Sequence, residues 1–314
     1  MDTSSAHAPC VNVDAATLRA WPLPMPSTDG DKEQRGHVLI LGGSREMPGA
    51  VILAATAALR AGAGKLTIAT GASVAQLVAL ALPEARVIGL AETGQGGFTG
   101  EAVGMLDPLA DKVNAILIGP GMQDEAATAA LVRALLPRLC GSDVSVVLDA
   151  CAMGILLSPD EDKDDEEDRG EAPFRFAQPV IVTPHAGEMA HLTGERKEDI
   201  CAEPDRHAAQ AARRWNAVVA LKGARTLVIA PDGTRWQHEG GNVGLAISGS
   251  GDTLAGIVAG LAARGASLTQ AACWGVALHA RAGEQLAERF GMLGYLAREI
   301  PNEIPALMES FARG

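Results

Sequence analysis

The stretch Gly249-Ser250-Gly251-Asp252-Thr253 stands directly before an apolar run, residues 254–261, whose composition predicts a buried helix. Glycine lets the backbone turn tightly, and the first amides of a helix have no partner inside that helix. Such amides converge on an anion, and the helix dipole favours its negative charge. The stretch therefore predicts an anion hole made by Gly249, Ser250 and Gly251.

Asp252 lies in the first turn after these glycines. There it can take the proton from a hydroxyl group that attacks a phosphoryl group held in the anion hole. The alternative is that Asp252 only caps the helix, because Ser and Asp are ordinary capping residues. The short motif alone leaves both interpretations open.

Short β-rich runs alternate with alanine-rich helical stretches along the rest of the chain. This alternation predicts an α/β fold in which helices cover both faces of a mostly parallel sheet. Strands are predicted at residues 37–41, 65–70, 85–90, 115–118, 145–148, 180–182, 218–221 and 226–229, and helices at 50–61, 125–139, 204–215, 253–264 and 268–290. We expect a single domain over residues 1–314, with an N-terminal arm at 1–30 that its closely spaced prolines keep extended.

Charge is concentrated in one segment of the chain. The net charge is −12, and residues 160–171 contain nine acidic and two basic side chains. Like charges repel and almost nothing apolar is present, so residues 159–173 are predicted to be an acidic surface insertion. No basic field favours nucleic acid or an anionic membrane as a partner. Only 3% of the residues are aromatic, which leaves few surfaces on which bases can stack.

The cysteines and the N-terminus indicate the compartment. Five cysteines are scattered without a C-x-x-C pair, which favours a reducing cytoplasm over a disulfide framework or a zinc site. No signal-peptide pattern and no 18-residue apolar stretch is present.

Two common nucleotide-binding motifs are incomplete in this sequence. Residues 61–66 lack the first Gly and the Ser or Thr of a Walker motif, and Gly42-Gly43-Ser44 lacks the second Gly of a dinucleotide fingerprint. A cytoplasmic enzyme that is not an NAD-dependent dehydrogenase is expected.

A longer stretch around the motif, Asn242-Val243-Gly244-Leu245-Ala246-Ile247-Ser248-Gly249-Ser250-Gly251-Asp252, resembles the signature of ribokinase-like enzymes, and in particular of NAD(P)H-hydrate dehydratases. Four further segments agree in order with that family: residues 36–44 with Pro48-Gly49-Ala50 and 58–64, residues 118–121, residues 183–189, and residues 221–226. The resemblance covers about residues 20 to 300 and implies a ribokinase-like three-layer sandwich. It also implies dehydration of (S)-NAD(P)H hydrate, either NADHX or NADPHX, back to NAD(P)H with ADP or ATP as co-substrate. Its bacterial members favour ADP.

The resemblance assigns roles to residues of these segments. Asp252 would be the catalytic base. The hydrated substrate would be bound by Ala50, Gly121, His185 and Asp252, and the adenine nucleotide by Lys222, Gly223, Ala224, Arg225, Thr226 and Gly251. Glu188 would help to hold Mg²⁺ through water, which suits a hard cation with oxygen ligands. His279 has apolar neighbours and is predicted to be a packed helix residue rather than a catalytic one.

The chain also departs from the family. Cys151 stands where a second acid is usual, and Val243 and Ile247 replace the common Pro and Thr. Many relatives carry an N-terminal epimerase domain that this sequence lacks, so repair of the opposite epimer is expected to depend on a separate epimerase or on spontaneous exchange. We expect a homo-oligomer.

The alternative function is a small-molecule kinase of the same fold that acts on a hydroxymethylpyrimidine or thiazole alcohol. The phosphoryl-transfer apparatus of such a kinase would be nearly the same.

Overall fold

The computed structural model describes residues 9–27, 32–157 and 174–313, and the strands within these ranges form one sheet. The ten strands are β1 (Cys10–Asn12), β2 (His37–Leu41), β3 (Lys65–Gly71), β4 (Arg86–Leu90), β5 (Ala115–Ile118), β6 (Ser145–Leu148), β7 (Val180–Val182), β8 (Ala217–Leu221), β9 (Arg225–Ile229) and β10 (Arg235–Glu239). Their order across the sheet is β1-β10-β9-β8-β7-β6-β5-β2-β3-β4. Strands β2 to β8 are mutually parallel, and β9 is antiparallel to both β8 and β10. The predicted mostly parallel sheet is confirmed.

Helices connect most of the strands. The described ranges contain α1 (Ala15–Ala20), α2 (Pro48–Arg60), α3 (Ala75–Ala81), α4 (Glu101–Ala110), α5 (Glu125–Leu139), α6 (Ala186–Thr193), α7 (Lys197–Ala202), α8 (Pro204–Trp215), α9 (Ser250–Ala263), α10 (Leu268–Phe290) and α11 (Ile300–Arg313). A 3₁₀ segment, Ala150–Leu156, follows β6, and shorter ones occur at Val243–Leu245 and Ala297–Glu299. Every strand and helix predicted from sequence is present, with ends that differ by three residues at most.

Two strands at one edge of the sheet are absent from the sequence-based prediction. β10 has the sequence Arg-Trp-Gln-His-Glu, and its partner β1 has three exposed residues. Neither shows a buried apolar run or an alternation of apolar and polar residues, which are the patterns that reveal a strand in a sequence. The acidic insertion predicted at residues 159–173 lies outside the described residues. No helix in the described ranges is long and apolar enough to cross a membrane.

The sheet is buried on both faces because successive side chains of a strand point to opposite sides. Val38 and Ile40 of β2 belong to an apolar cluster that includes α2, α9 and α10. Leu39 and Leu41 belong to a second cluster that includes α4, α5 and α8. The fold is therefore three-layered, with the sheet between two layers of helices.

The chain reverses its direction of progress through the sheet between β2 and β5. From β2 it proceeds to β3 and β4, and it then returns to the other side of β2 to form β5. Open α/β sheets bind ligands at such a switch point, beyond the carboxyl ends of the strands. Here the loops after β2 and β5 contact each other, since Gly43 donates its amide to the Pro120 carbonyl at 2.6 Å.

The described part of the N-terminal arm packs against α10, β10 and the end of α9. Residues 22–27 form neither helix nor strand. The Trp21 carbonyl accepts a hydrogen bond from Nε1 of Trp274 at 2.9 Å, and the Trp21 ring stacks on Trp236 with centroids 5.9 Å apart. Arg264 donates to the Pro24 carbonyl at 2.9 Å. Side-chain donors thus satisfy carbonyl groups that the proline-rich backbone cannot pair in a sheet.

Helix α9 packs on α2 at a distance that only small residues allow. A Cβ atom on Gly256 would lie 2.1 Å from the carbonyl oxygen of Ala54, and one on Gly260 would lie 2.5 Å from that of Ala58. Backbone atoms cannot yield as a flexible side chain does, so any side chain at these positions forces the helices apart. This contact fixes α9, whose N-terminus carries the motif.

We expect Gly256→Ala to lower the free energy of unfolding by about 1–3 kcal/mol, the usual effect of overpacking a core. Gly104→Ala in α4 is the matched control, because a Cβ atom there meets nothing within 4 Å. Alanine is the better helix former, so the control should stabilise the protein by about 0.5–1 kcal/mol. Denaturant unfolding measures both changes. Equal stability of the two variants would contradict the close approach of α2 and α9.

Candidate active site

The carboxyl ends of three neighbouring strands bring together residues that are far apart in the sequence. Asp149 follows β6, His185 follows β7 and Lys222 follows β8. The loops after β7 and β8 are joined by a hydrogen bond from the Lys222 amide to the Pro184 carbonyl, 2.8 Å long. The N-terminus of α9 lies beside this group, because a Cβ atom on Gly251 would be 3.6 Å from Nζ of Lys222.

The anion hole predicted at residues 249–251 lies at the start of α9. Gly249 is the N-cap with φ +87°, a left-handed conformation that favours glycine. The amides of Gly249 and Gly251 have no acceptor among the described residues. The Ser250 amide, in contrast, donates to the Ile247 carbonyl at 3.2 Å. Two of the three predicted amides are therefore open to an anion.

Lys222 supplies the positive charge at this site. Its ammonium group lies 3.4 Å from Oδ1 of Asp149 and 3.6 Å from Oε2 of Glu188. Burial alone would lower the pKa of Lys222, but the two carboxylates outweigh burial and hold this pKa above its ordinary value. Thr183 fixes the nearer carboxylate by donating to Oδ1 of Asp149 at 2.6 Å. Lys222 is thus a cation at neutral pH and faces the first turn of α9.

Asp252 has the electrostatics of a base rather than of a cap. Burial raises its pKa to about 6, the Asp149 charge adds to this shift, and the Lys222 charge opposes it. No side chain caps α9 at its N-cap position. A capping aspartate behaves differently: Asp14 accepts a hydrogen bond from the Thr17 amide at 2.8 Å, and this bond lowers the pKa of Asp14. A carboxylate with a pKa of about 6 suits proton transfer near neutral pH.

His185 and Glu188 form a capping box at the start of α6. Nδ1 of His185 accepts from the Glu188 amide at 3.0 Å, and Oε2 of Glu188 accepts from the His185 amide at 2.8 Å. Because Nδ1 accepts, the proton of the neutral ring lies on Nε2. Nε2 lies 3.7 Å from Oε2 of Glu188, too far for a hydrogen bond, and the His185 side chain is 58% exposed, so this Nε2–H group can donate to a ligand.

A cavity of about 700 Å³ opens beside the anion hole, a volume typical of small-molecule sites. Five of the six residues predicted to bind the nucleotide line it: Lys222, Gly223, Ala224, Thr226 and Gly251. Arg225 does not line the cavity. Its guanidinium donates to Oδ2 of Asp205 at 2.7 Å and to Oε1 of Gln237 at 2.8 Å, so any contact of Arg225 with a nucleotide in this geometry is through its backbone.

Ala50 and Gly121 lie together at the switch point of the sheet. Gly121 has φ +69°, and a Cβ atom there would be 2.8 Å from Cβ of Ala50. Leu53, one turn further along α2, lies against Gly249, since a Cβ atom on that glycine would be 2.3 Å from Cδ1 of Leu53. Neither Ala50 nor Gly121 lines the 700 Å³ cavity. Ala50 and Gly121 therefore lie apart from the predicted nucleotide residues, whereas His185, which is also predicted to bind the substrate, lines the cavity together with them.

Cys151 does not take over the role of the family's second acid. Its Sγ lies 3.6 Å from Oγ1 of Thr128 on α5. Burial raises the pKa of the thiol, which therefore stays protonated at neutral pH. The Cys151 side chain therefore contacts α5. The carboxylates that pair with the Lys222 ammonium are those of Asp149 and Glu188.

Several residues that shape this site carry no role predicted from the sequence. Asp149 and Thr183 each follow a predicted strand, and Thr183 belongs to a segment that resembles the family, which was a usable signal. Asn242 begins the signature and lines the cavity, where its Oδ1 accepts from the Gly244 amide at 2.9 Å and from the Tyr295 hydroxyl at 2.8 Å. His238 and His279 also line the cavity, and no periodic pattern pointed to them.

Fold and site together define a class of protein: a ribokinase-like α/β enzyme in which a buried carboxylate with a raised pKa lies beside open helix amides and a lysine. Comparison with known proteins gives the family within that class. A family model described as NAD(P)H-hydrate dehydratase matches residues 38–306. An ADP-dependent (S)-NAD(P)H-hydrate dehydratase from Xanthomonas campestris pv. campestris is 52% identical over 96% of this chain and 97% of its own length. The chain belongs to the NAD(P)H-hydrate dehydratase family.

Two further relatives show how the match is distributed. The crystal structure of an ADP/ATP-dependent NAD(P)H-hydrate dehydratase from Bacillus subtilis, co-crystallised with ATP and Mg²⁺, superposes with a TM-score of 0.77 at 29% identity, covering 96% of this chain and 99% of that chain. A bifunctional NAD(P)H-hydrate repair enzyme from Moorella thermoacetica is 38% identical over 92% of this chain but only 52% of its own length. The predicted ribokinase-like fold and family resemblance are confirmed.

Proposed function

We propose that this chain catalyses the ADP-dependent dehydration of (S)-NAD(P)H hydrate back to NAD(P)H, with ATP as the alternative nucleotide. One observation carries the proposal: Asp252, with a pKa of about 6, stands in the first turn of α9 beside open amides and the Lys222 ammonium. This arrangement suits transfer of a phosphoryl group to a hydroxyl group. The 52% identical relative from Xanthomonas bears the name of this activity.

The chemistry turns a poor leaving group into a good one. Asp252 takes the proton of the ring hydroxyl as that oxygen attacks the terminal phosphoryl group of ADP, and AMP leaves. The ring nitrogen then expels phosphate, and loss of a neighbouring ring proton restores the dihydronicotinamide. The amides of Gly249 and Gly251 and the Lys222 ammonium stabilise the charge of the phosphoryl group during transfer. His185 donates from Nε2 to the hydrate, which Ala50 and Gly121 place beside Asp252.

Mg²⁺ fits the donors that are present. No group of three or more His, Cys, Asp or Glu side chains that could hold a metal occurs in the described residues. Mg²⁺ needs fewer, because it keeps several waters and combines one or two carboxylates with substrate phosphates. Glu188 would hold it through water, with Asp149 nearby. The ion would neutralise the negative charge of the phosphates.

The proposal also covers the domain organisation, the compartment and the partners of the protein. We propose a single domain that works in the cytoplasm as a homo-oligomer and repairs one epimer of the hydrate. A separate epimerase would supply that epimer from the other one. Support for the link to an epimerase comes from the bifunctional repair enzymes among the relatives, whose match to this chain accounts for about half of their length.

Mass spectrometry of the products tests the dehydratase against the kinase alternative. The protein is incubated with Mg²⁺, ADP or ATP, and either hydrated NADH or the hydroxymethylpyrimidine and thiazole alcohols. We expect NADH and free phosphate from the hydrate, and unchanged alcohols. A phosphorylated alcohol that accumulates while the hydrate is untouched would establish the kinase and overturn the proposal.

A further inference from the structure

His279 of α10 contacts the anion hole from the side of the nucleotide cavity. Its Nε2 lies 3.0 Å from Oγ of Ser250 and 3.1 Å from the carbonyl oxygen of the same residue. Ser250 is almost fully buried, with 4% of its surface exposed, and both residues line the cavity. The contact joins the start of α9 to the next helix, α10, at the point where a phosphoryl group is proposed to bind.

The two distances decide where the proton of the imidazole lies. A carbonyl oxygen only accepts hydrogen bonds, so Nε2 must carry a proton in order to bond it. The same N–H group then also points at Oγ of Ser250, which accepts. Burial lowers the pKa of His279 to about 4, so the ring is neutral and Nε2–H is its one donor.

This assignment leaves the hydroxyl proton of Ser250 unused. Oγ has no hydrogen-bond partner other than His279 among the described residues. Ser and Thr hydroxyls near the start of a helix can instead bond the carbonyl of residue i−4, as Thr253 does with Gly249 at 2.9 Å. Here the N–H group of His279 holds Oγ away from that arrangement. The Ser250 amide is already used by the Ile247 carbonyl, so the hydroxyl is the donor that Ser250 can offer to a ligand.

We propose that Ser250 binds the terminal phosphoryl group of the nucleotide through its hydroxyl, and that His279 is a positioning residue that holds this hydroxyl as a donor toward the phosphate. Ser250 thereby supplies the third donor of the anion hole, beside the amides of Gly249 and Gly251. The inference rests on the proposed function for the identity of the anion. It assigns His279 a role beyond helix packing.

Calorimetric affinities for Mg²⁺-ADP and for AMP test this inference, because AMP lacks the phosphoryl group that the hydroxyl would bind. Ser250→Ala should weaken ADP binding by about 10- to 100-fold, as expected when one hydrogen bond to a charged group is lost. Its affinity for AMP should change by less than about twofold, since the lost contact is with the terminal phosphoryl group alone. Ser248→Ala is the matched control, because the Ser248 hydroxyl is exposed and has no partner among the described residues; it should bind both nucleotides as the wild type does.

Variants of His279 separate positioning from packing. His279→Leu should weaken ADP binding selectively, and His279→Gln should restore most of it because the glutamine amide can donate from a similar place. The double variant Ser250→Ala/His279→Leu should be no worse than Ser250→Ala, since both changes remove the same hydroxyl contact. Thermal unfolding verifies that each variant is folded.

Several results would overturn the inference. These are unchanged ADP affinity in Ser250→Ala, an equal loss of ADP and AMP affinity, a matching loss in Ser248→Ala, or additive losses in the double variant. Failure of the wild type to restore NADH from its hydrate would instead overturn the proposed function. The two failures are distinguishable, because turnover by the wild type is measured independently of the variants' affinities.

Discussion

Asp252→Asn is expected to lower the turnover of hydrated NADH by about 10²- to 10⁴-fold, the range typical for loss of a general base. Asparagine keeps the size of the side chain but cannot accept a proton. The affinity for ADP should change little, because the amides of Gly249 and Gly251 and the Lys222 ammonium remain. Steady-state rates and calorimetric affinities measure the two effects separately.

The pH profile identifies the same carboxylate. Because burial raises the pKa of Asp252 to about 6, the active, deprotonated form is present above that pH and is lost as the pH falls through it. We expect the acidic limb of the kcat/KM profile near pH 6, and its absence in Asp252→Asn. Asp199→Asn, at an exposed ion pair with Arg196, should keep the wild-type rate and profile. Near-normal turnover of Asp252→Asn would show that Asp252 is not the base and has only a structural role.

Lys222→Gln is the second large effect that we expect, with turnover lowered by about 10²- to 10³-fold, as when one electrostatic stabiliser of a transition state is removed. Glutamine can still donate to Asp149, but it leaves the carboxylates of Asp149, Glu188 and Asp252 without a cation. Since the Lys222 charge lowers the pKa of Asp252, its removal should also move the acidic limb of the pH profile above pH 6. Apparent affinity for ADP should fall as well.

Lys65→Gln is the control for loss of a lysine charge. Its ammonium pairs with Glu33 at 2.7 Å on the surface, and such pairs contribute about 0–1 kcal/mol to stability. Turnover and pH profile should therefore match the wild type. If Lys222→Gln has the same profile as Lys65→Gln, the Lys222 charge does not act on Asp252 or on the nucleotide.

The core of the fold was predictable because its strands are buried on both faces. β2, β5, β6 and β7 consist almost entirely of apolar residues, so their sequence pattern gives their bounds. β1 and β10 lie at the edge, where half-exposed polar residues form strands only because a neighbour supplies hydrogen bonds. The pairing of β1 with β10 joins residues more than 200 positions apart, and no local pattern encodes it.

The sequence motifs predicted which segments form the site, whereas the side-chain geometry of the site did not follow from them. Asp252 was a candidate base because of its place at the start of a predicted helix and because of the family resemblance. The ion pair of Arg225 with Asp205 and the bond of Ser250 to His279 depend on how strands and helices pack. Likewise the raised pKa of Asp252 results from burial and from Asp149, which folding brings near it. Chemistry that depends on such distances needs the structure.

Consumption of a nucleotide during removal of the hydroxyl of hydrated NADH is tested most directly by the stoichiometry of the reaction that the purified protein catalyses. With Mg²⁺, ADP and hydrated NADH, each NADH that regains its near-ultraviolet absorbance should be accompanied by one phosphate and one AMP. Omission of the nucleotide should stop recovery. An unequilibrated mixture of epimers should react in part and then continue at the slow rate of spontaneous exchange, because a chiral site accepts one epimer. Recovery of NADH without consumption of ADP would contradict the account.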